Sequence, residues 1–120
     1  MLLDLDRINL EMVRGDTFKL NLPLNCGTRE YPKRYILGPN DAVFIGIMKP
    51  GQSFEHADIR CMLTHNDYVN NDLILTLNSS NTVNMYPGKY YMTVKFVSNG
   101  EVQTLVDQKQ FFITGSDPCC

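Results

Sequence analysis

The stretch Pro87-Gly88-Lys89-Tyr90-Tyr91-Met92-Thr93-Val94-Lys95-Phe96-Val97-Ser98-Asn99-Gly100-Glu101-Val102 decides the fold class. Tyr90, Met92, Val94 and Phe96 recur at every second position, with Tyr91, Thr93 and Lys95 between them. Successive side chains of an extended chain point to opposite faces, so this period predicts a long strand over Lys89 to Val97. Ser98-Asn99-Gly100-Glu101 then reads as a hairpin, because a two-residue type I′ turn needs positive φ at both centres and Asn-Gly tolerates it. Val102, Thr104 and Val106 pair back, and Gln110 to Thr114 completes the last strand. Asp107 to Lys109, between these runs, predicts a bulge or a change of sheet.

The same period extends towards the N-terminus. Ile8, Leu10 and Met12 alternate with polar neighbours, Arg14-Gly15-Asp16 supplies a turn, and Phe18, Leu20 and Leu22 alternate again. Pro23 to Arg34 is polar and reads as an exposed connection leading into Tyr35-Ile36-Leu37, before the turn Gly38-Pro39-Asn40-Asp41. Ala42 to Met48 is continuously apolar and suits a central strand covered on both faces. Lys49-Pro50-Gly51-Gln52 is a turn, and Ala57 to Thr64 is a weaker strand with Ile59, Cys61 and Leu63 on one face. Asn70-Asn71-Asp72 interrupts, Leu73 to Leu77 is a clear strand, and Asn78 to Thr82 predicts a loop with a single helical turn.

Strands at this spacing, without a helical period anywhere, predict an all-β protein: an antiparallel immunoglobulin-like β-sandwich of seven to eight strands, with a small barrel as the alternative. Tyr86 and Tyr90 sit at the entry to the penultimate strand, where such folds place a tyrosine whose hydroxyl pins the preceding loop. Residues 1–114 are expected to form one domain and 115–120 a flexible tail. The edge strands are expected to be Ile8 to Met12 and Ala57 to Thr64.

The chain has 120 residues, with 43% hydrophobic and 20% charged. That is one core, large enough to stand without a metal, cofactor or disulfide framework. Eleven basic against 13 acidic residues, net −2 with no Lys/Arg cluster, disfavour nucleic acid as a partner. No apolar run approaches the roughly 18 residues of a membrane span, and acid stands at Asp4 and Asp6 where a signal peptide needs base, so the expected site of synthesis is the cytosol. Four cysteines without a C-x-x-C spacing, two of them the adjacent Cys119 and Cys120, are expected to be reduced thiols.

No phosphate loop, nucleophile elbow or nucleophile beside a base is present, so no catalytic residue or cofactor is assigned. His56, Asp58, Cys61 and His65 are all zinc-ligating types, but their spacing matches no compact zinc motif, and two surface histidines beside a half-buried cysteine is the simpler reading. Arg14-Gly15-Asp16 matches a cell-adhesion tripeptide, although a turn uses the same residues for their backbone conformations. Asn78-Ser79-Ser80 matches a glycosylation acceptor that a chain made in the cytosol would not expose to the modifying machinery. The six tyrosines are more suggestive of a contact surface, and Tyr31, Tyr35, Tyr68 and Tyr91 are its candidates.

Two segments carry a resemblance. Met12-Val13-Arg14-Gly15-Asp16-Thr17-Phe18-Lys19-Leu20, followed after a polar stretch by Gly38-Pro39-Asn40-Asp41-Ala42-Val43-Phe44-Ile45-Gly46-Ile47, is similar to the opening of the N-terminal immunoglobulin-like domain of phage baseplate upper proteins. Pro87 to Val94, the Asn99-Gly100 hairpin, Val102 to Leu105 and Gln110 to Ile113 resemble that domain's ending, with Lys109-Gln110 standing where the family has a glycine. The resemblance implies a virion part of a tailed phage, assembled in the bacterial host cytoplasm. Such a part is non-enzymatic and present in several copies of a symmetric assembly, with other tail, baseplate or capsid proteins as partners. A carbohydrate- or host-surface-binding module, with Tyr31, Tyr35 and Tyr68 stacking on sugar rings, is the alternative.

Overall fold

The computed structural model describes residues 1–28 and 30–115. The protein is all-β. Among the described residues ten strands follow in chain order: β1 (Leu2–Leu3), β2 (Leu10–Val13), β3 (Phe18–Asn21), β4 (Leu24–Asn25), β5 (Asp41–Met48), β6 (Ile59–Leu63), β7 (Tyr68–Val69), β8 (Asp72–Leu77), β9 (Gly88–Ser98) and β10 (Glu101–Thr114). The helical turn expected after β8 is α1, Ser79–Thr82, and two 3-10 turns cover Phe54–His56 and His65–Asp67. The tail expectation lies outside the described residues from Ser116 onward, and Cys119 and Cys120 with it.

Five strands form one sheet in the order β2-β10-β9-β5-β6, three form a second in the order β3-β8-β7, and β1 pairs with β4. The alternation in β9 does what its period requires: Tyr90, Met92, Val94 and Phe96 are all buried. They join Val43, Ile45 and Ile47 of β5, Phe111 and Ile113 of β10, and Leu73, Leu75 and Leu77 of the second sheet in one hydrophobic cluster. Phe18 of β3 meets Phe111 of β10 edge to face, ring centroids 5.3 Å apart, so an aromatic pair ties the two sheets together.

The strand pairing departs from the expectation in three places. β2 runs parallel to β10, Leu10 opposite Phe111 through Val13 opposite Thr114, so the larger sheet is mixed rather than antiparallel. The turn at Arg14-Gly15-Asp16 therefore does not close a hairpin; it carries the chain from one sheet to the other, since β3 pairs with β8. The connection from Pro23 to Arg34 is not wholly exposed: Leu24 is buried in β4 against β1, and Asn25 bridges Arg34. Asn70-Asn71 is a hairpin turn rather than an interruption, with φ of 51° and 69° between β7 and β8.

The other turn predictions hold. Asn99 and Gly100 take φ of 52° and 82°. The ladder between β9 and β10 slips at Thr104/Val106 and again at Val106/Lys109, with Gln108 at φ 53°, so the bulge option applies and β10 stays in one sheet. The two expected edges are the two edges of the larger sheet, β2 and β6.

Candidate interaction surface

The tyrosines do not gather at one place. Tyr31 is 78% exposed on the connection after β4. Tyr35 and Tyr68 are half-buried and their hydroxyls are engaged within the fold: Tyr35 donates to the Asp41 carboxylate, and Tyr68 accepts the Leu37 N–H at 3.0 Å. Tyr91 stands on β9 opposite Met48, at the far end of β5 from Asp41. Tyr86 is 67% exposed, while Tyr90 is buried with its hydroxyl donating to the Tyr86 carbonyl at 2.6 Å, the loop-pinning bond expected from their positions.

Asp41, only 8% exposed, is the centre of the most developed polar cluster. Its carboxylate accepts from the Ser98 hydroxyl at 2.6 Å, from the Gly38 N–H at 2.8 Å and from the Tyr35 hydroxyl. Those donors, Ser98 foremost, hold the carboxyl below its ordinary range against the opposing effect of burial. The Tyr35 hydroxyl is pushed up to about 12, first by donating to Asp41 and then by burial and the neighbouring negative charge. The Tyr35 ring also meets Phe96 edge-on at 5.7 Å. Fully bonded within the protein, the cluster closes the turn Gly38–Asp41 onto the β9–β10 hairpin.

The adhesion-like tripeptide is similarly committed. The Arg14 guanidinium donates to the Val83 carbonyl at 2.7 Å, the Gly15 N–H donates to the buried Thr82 hydroxyl at 2.9 Å, and the Arg14 N–H donates to Thr114 at 2.8 Å. These bonds fasten the turn to α1 and the end of β10, so it serves as a joint between the sheets.

His56 and His65 lie in the two 3-10 turns at opposite ends of β6. Asp58 is turned to Lys49 at 3.6 Å and Gln52 at 3.4 Å. Cys61 is half-buried, and burial pushes its thiol up. Among the described residues no group of three His, Cys, Asp or Glu side chains is placed to hold a metal, and no helix is long and apolar enough to cross a membrane.

Exposed apolar side chains are spread over the surface, Leu2, Ile36, Val69 and Val83 among them, and a further group lies on the outer face of the larger sheet, where Val102 of β10, paired with Val97, is 62% exposed. Val13 and Phe112, on neighbouring strands β2 and β10, are both exposed. Met62 of β6 is 57% exposed and pairs with the half-buried Phe44 of β5, which pairs in turn with Lys95. Between these patches part of the face is covered by its own chain. The Phe54 ring sits over Gly46, where a Cβ would come within 2.8 Å of it, and Lys95 Nζ lies 4.7 Å from the ring centroid. At the other end Tyr91 lines a shallow cleft of about 210 Å³ with Lys49, Pro50, Gln52 and Gln108.

Sequence reasoning missed Met62 and Phe112. The available signal was their place in the alternation, opposite Ile59-Cys61-Leu63 and opposite Phe111-Ile113. Compared with known proteins, this chain matches no family model and no curated protein.

Proposed function

We propose that this chain is a non-enzymatic structural component of a tailed-phage virion, an adaptor or decoration protein of the tail, baseplate or head surface, acting through protein–protein contacts. Its fold on this reading is an immunoglobulin-like sandwich. The order β10-β9-β5-β6 facing β3-β8-β7 corresponds to the G-F-C-C′ and B-E-D orders of such domains. The Tyr90 hydroxyl on the Tyr86 carbonyl, at the start of β9, sits where the corner tyrosine of strand F belongs.

The observation that carries the functional reading is the distribution of exposed apolar side chains. Val13 with Phe112, and Met62 with Phe44, lie on the outer face beside the two sheet edges, where another subunit can reach side chains and backbone together. The resemblance of residues 12–20, 38–47 and 87–113 to the N-terminal domain of phage baseplate upper proteins supplies the virion context. Partners are other virion proteins and further copies of the chain, assembled in the bacterial host cytoplasm. The test is sedimentation of phage particles through a density gradient followed by mass spectrometry. The chain is expected in the particle fraction at a fixed ratio to the capsid protein; its absence there overturns the proposal.

The Tyr91 cleft favours a second reading, a carbohydrate- or host-surface-binding module, because an aromatic ring flanked by Gln108, Gln52 and Lys49 offers stacking beside polar groups. Glycan-array binding that disappears in Tyr91→Ala would support it, and silence of the native chain on the array would remove it.

A further inference from the structure

We propose that β6 is a homodimerisation edge, at which two copies pair antiparallel about a twofold axis through Cys61 and merge their larger sheets into one sheet of twice the width. The inference rests on the reading that the chain works in multiple copies through protein contacts, and it names the copy-to-copy surface.

The edges of the molecule differ in how they are defended. An unpaired strand edge offers N–H and C=O groups to any passing strand, and proteins blunt such edges by shortness, charge, bulges or proline. Along Glu101 to Gln110 the flank of β10 beyond the β2 pairing is broken by two register slips and a positive φ at Gln108. β7 is two residues long, β3 is four with Lys19, and β2 is four with Glu11. β6 has five residues without proline or register slip, pairs on one side with β5, and forms the outer strand of its sheet. Its one charged side chain, Arg60, is drawn back along its own chain to donate to the Glu55 carbonyl at 3.1 Å. Its outer face presents Met62 instead.

A second copy fits this edge, and only one register suits it. Faces match only if paired residue numbers keep the inner side chains together, which leaves three centres. Centring on Arg60 sets two like charges opposite each other, which is destabilising. A centre at Met62 pairs only residues 61–63. With Cys61 at the centre all five residues pair: Ile59 meets the partner copy's Leu63 on the core side, and Arg60 lies opposite the partner copy's Met62 on the outer face, with no like charges in register. A two-fold pairing of this kind is self-complementary and closes at two. Five residue pairs make a small interface, so association in free solution is weak and strengthens where a platform holds copies side by side.

Sedimentation equilibrium of the full-length native chain and two variants tests this. Met62→Glu sets a carboxylate opposite Arg60 at two symmetric places, and Met62→Lys sets an ammonium there. The native chain is expected to show a concentration-dependent monomer–dimer equilibrium. The dimer dissociation constant is expected to fall in Met62→Glu and rise in Met62→Lys, each by roughly two- to thirtyfold. Both variants should melt like the native chain, because position 62 is exposed. A native chain that stays monomeric at the highest attainable concentration overturns the inference, as does a dimer that both substitutions shift in the same direction or leave unchanged. Either failure leaves association with the virion untouched, and absence from the phage particle would leave the solution dimer untouched, so the two readings fail separately.

Discussion

Replacing Tyr35 by Phe removes one hydroxyl from the Asp41 cluster and leaves the ring contact with Phe96 in place. A hydrogen bond to a charged acceptor contributes about 1.5–3 kcal/mol. The Asp41 carboxylate keeps the Ser98 hydroxyl and the Gly38 N–H, so the cost belongs at the lower end of that range. For a domain of this size such a loss lowers the midpoint of thermal unfolding by roughly 5–10 °C, which calorimetry at neutral pH measures directly. The pH profile adds a signature. The Tyr35 hydroxyl is raised to about 12 in the folded protein, whereas an unfolded tyrosine ionises near 10. Between those values the unfolded chain has released a proton that the native state still holds, so stability falls as pH rises from about 10 to 12. Tyr35→Phe loses that share of the alkaline decline. At the acid end the sign reverses: Asp41 is lowered in the folded state, so its contribution is present above the ordinary carboxylate range and is lost as pH falls through the lowered value. In Tyr35→Phe the acid decline is expected to be smaller. A variant whose neutral-pH melting point and alkaline limb both coincide with those of the native chain would refute the assignment of Tyr35 as a stabilising donor to Asp41.

Tyr90→Phe deletes the bond to the Tyr86 carbonyl inside a buried position and should cost about 1 kcal/mol by urea unfolding; an unchanged unfolding midpoint would show that the corner does not depend on the hydroxyl. Gly46→Ala drives a Cβ to within 2.8 Å of the Phe54 ring, and the displaced ring or strained sheet should cost about 1–3 kcal/mol; the same substitution made on a Phe54→Ala background should cost less, and an equal cost on both backgrounds would show that the ring clash is not the cause. Gly100→Val places a β-branched residue at φ 82° in the hairpin turn and should destabilise by about 1–3 kcal/mol, whereas Gly100→Asn, which tolerates that region, should cost less; equal losses would point away from backbone strain.

What the sequence disclosed depended on whether the controlling contacts are local. The face of β9 is written every second residue, and the Asn99-Gly100 turn follows from the two φ values it must supply, so both were legible. The parallel pairing of β2 with β10 was not, because it joins residues about a hundred positions apart, and the Arg14 N–H that donates to Thr114 at its end leaves no local mark in the sequence. β1 and β4 have two residues each, too few to show a period, and only the burial of Leu3 and Leu24 gives them away. Asn70-Asn71 read as an interruption because β7 before it is equally short.

The candidate surface was harder to read than the core, and Tyr35 shows why. Tyr35 stands in a polar connection with its hydroxyl committed to a partner inside the fold. Here that partner is Asp41, six residues on, across the Gly38-Pro39-Asn40 turn. The continuous apolar run Ala42 to Met48 gives the complementary case. It predicted cover on both faces of a central strand, and part of the outer cover is Phe54, swung back from a 3-10 turn onto Gly46. A glycine in a central strand marks a place where something approaches closely, and the chain itself takes that place. The apolar groups that the outer face leaves to other molecules include Val13 with Phe112 at one margin, Met62 with Phe44 at the other, and Val102 beside the β9–β10 hairpin. At the second margin the exposed side chains and the undefended backbone of β6 coincide, so an approaching strand would bury apolar surface and complete hydrogen bonds in the same step.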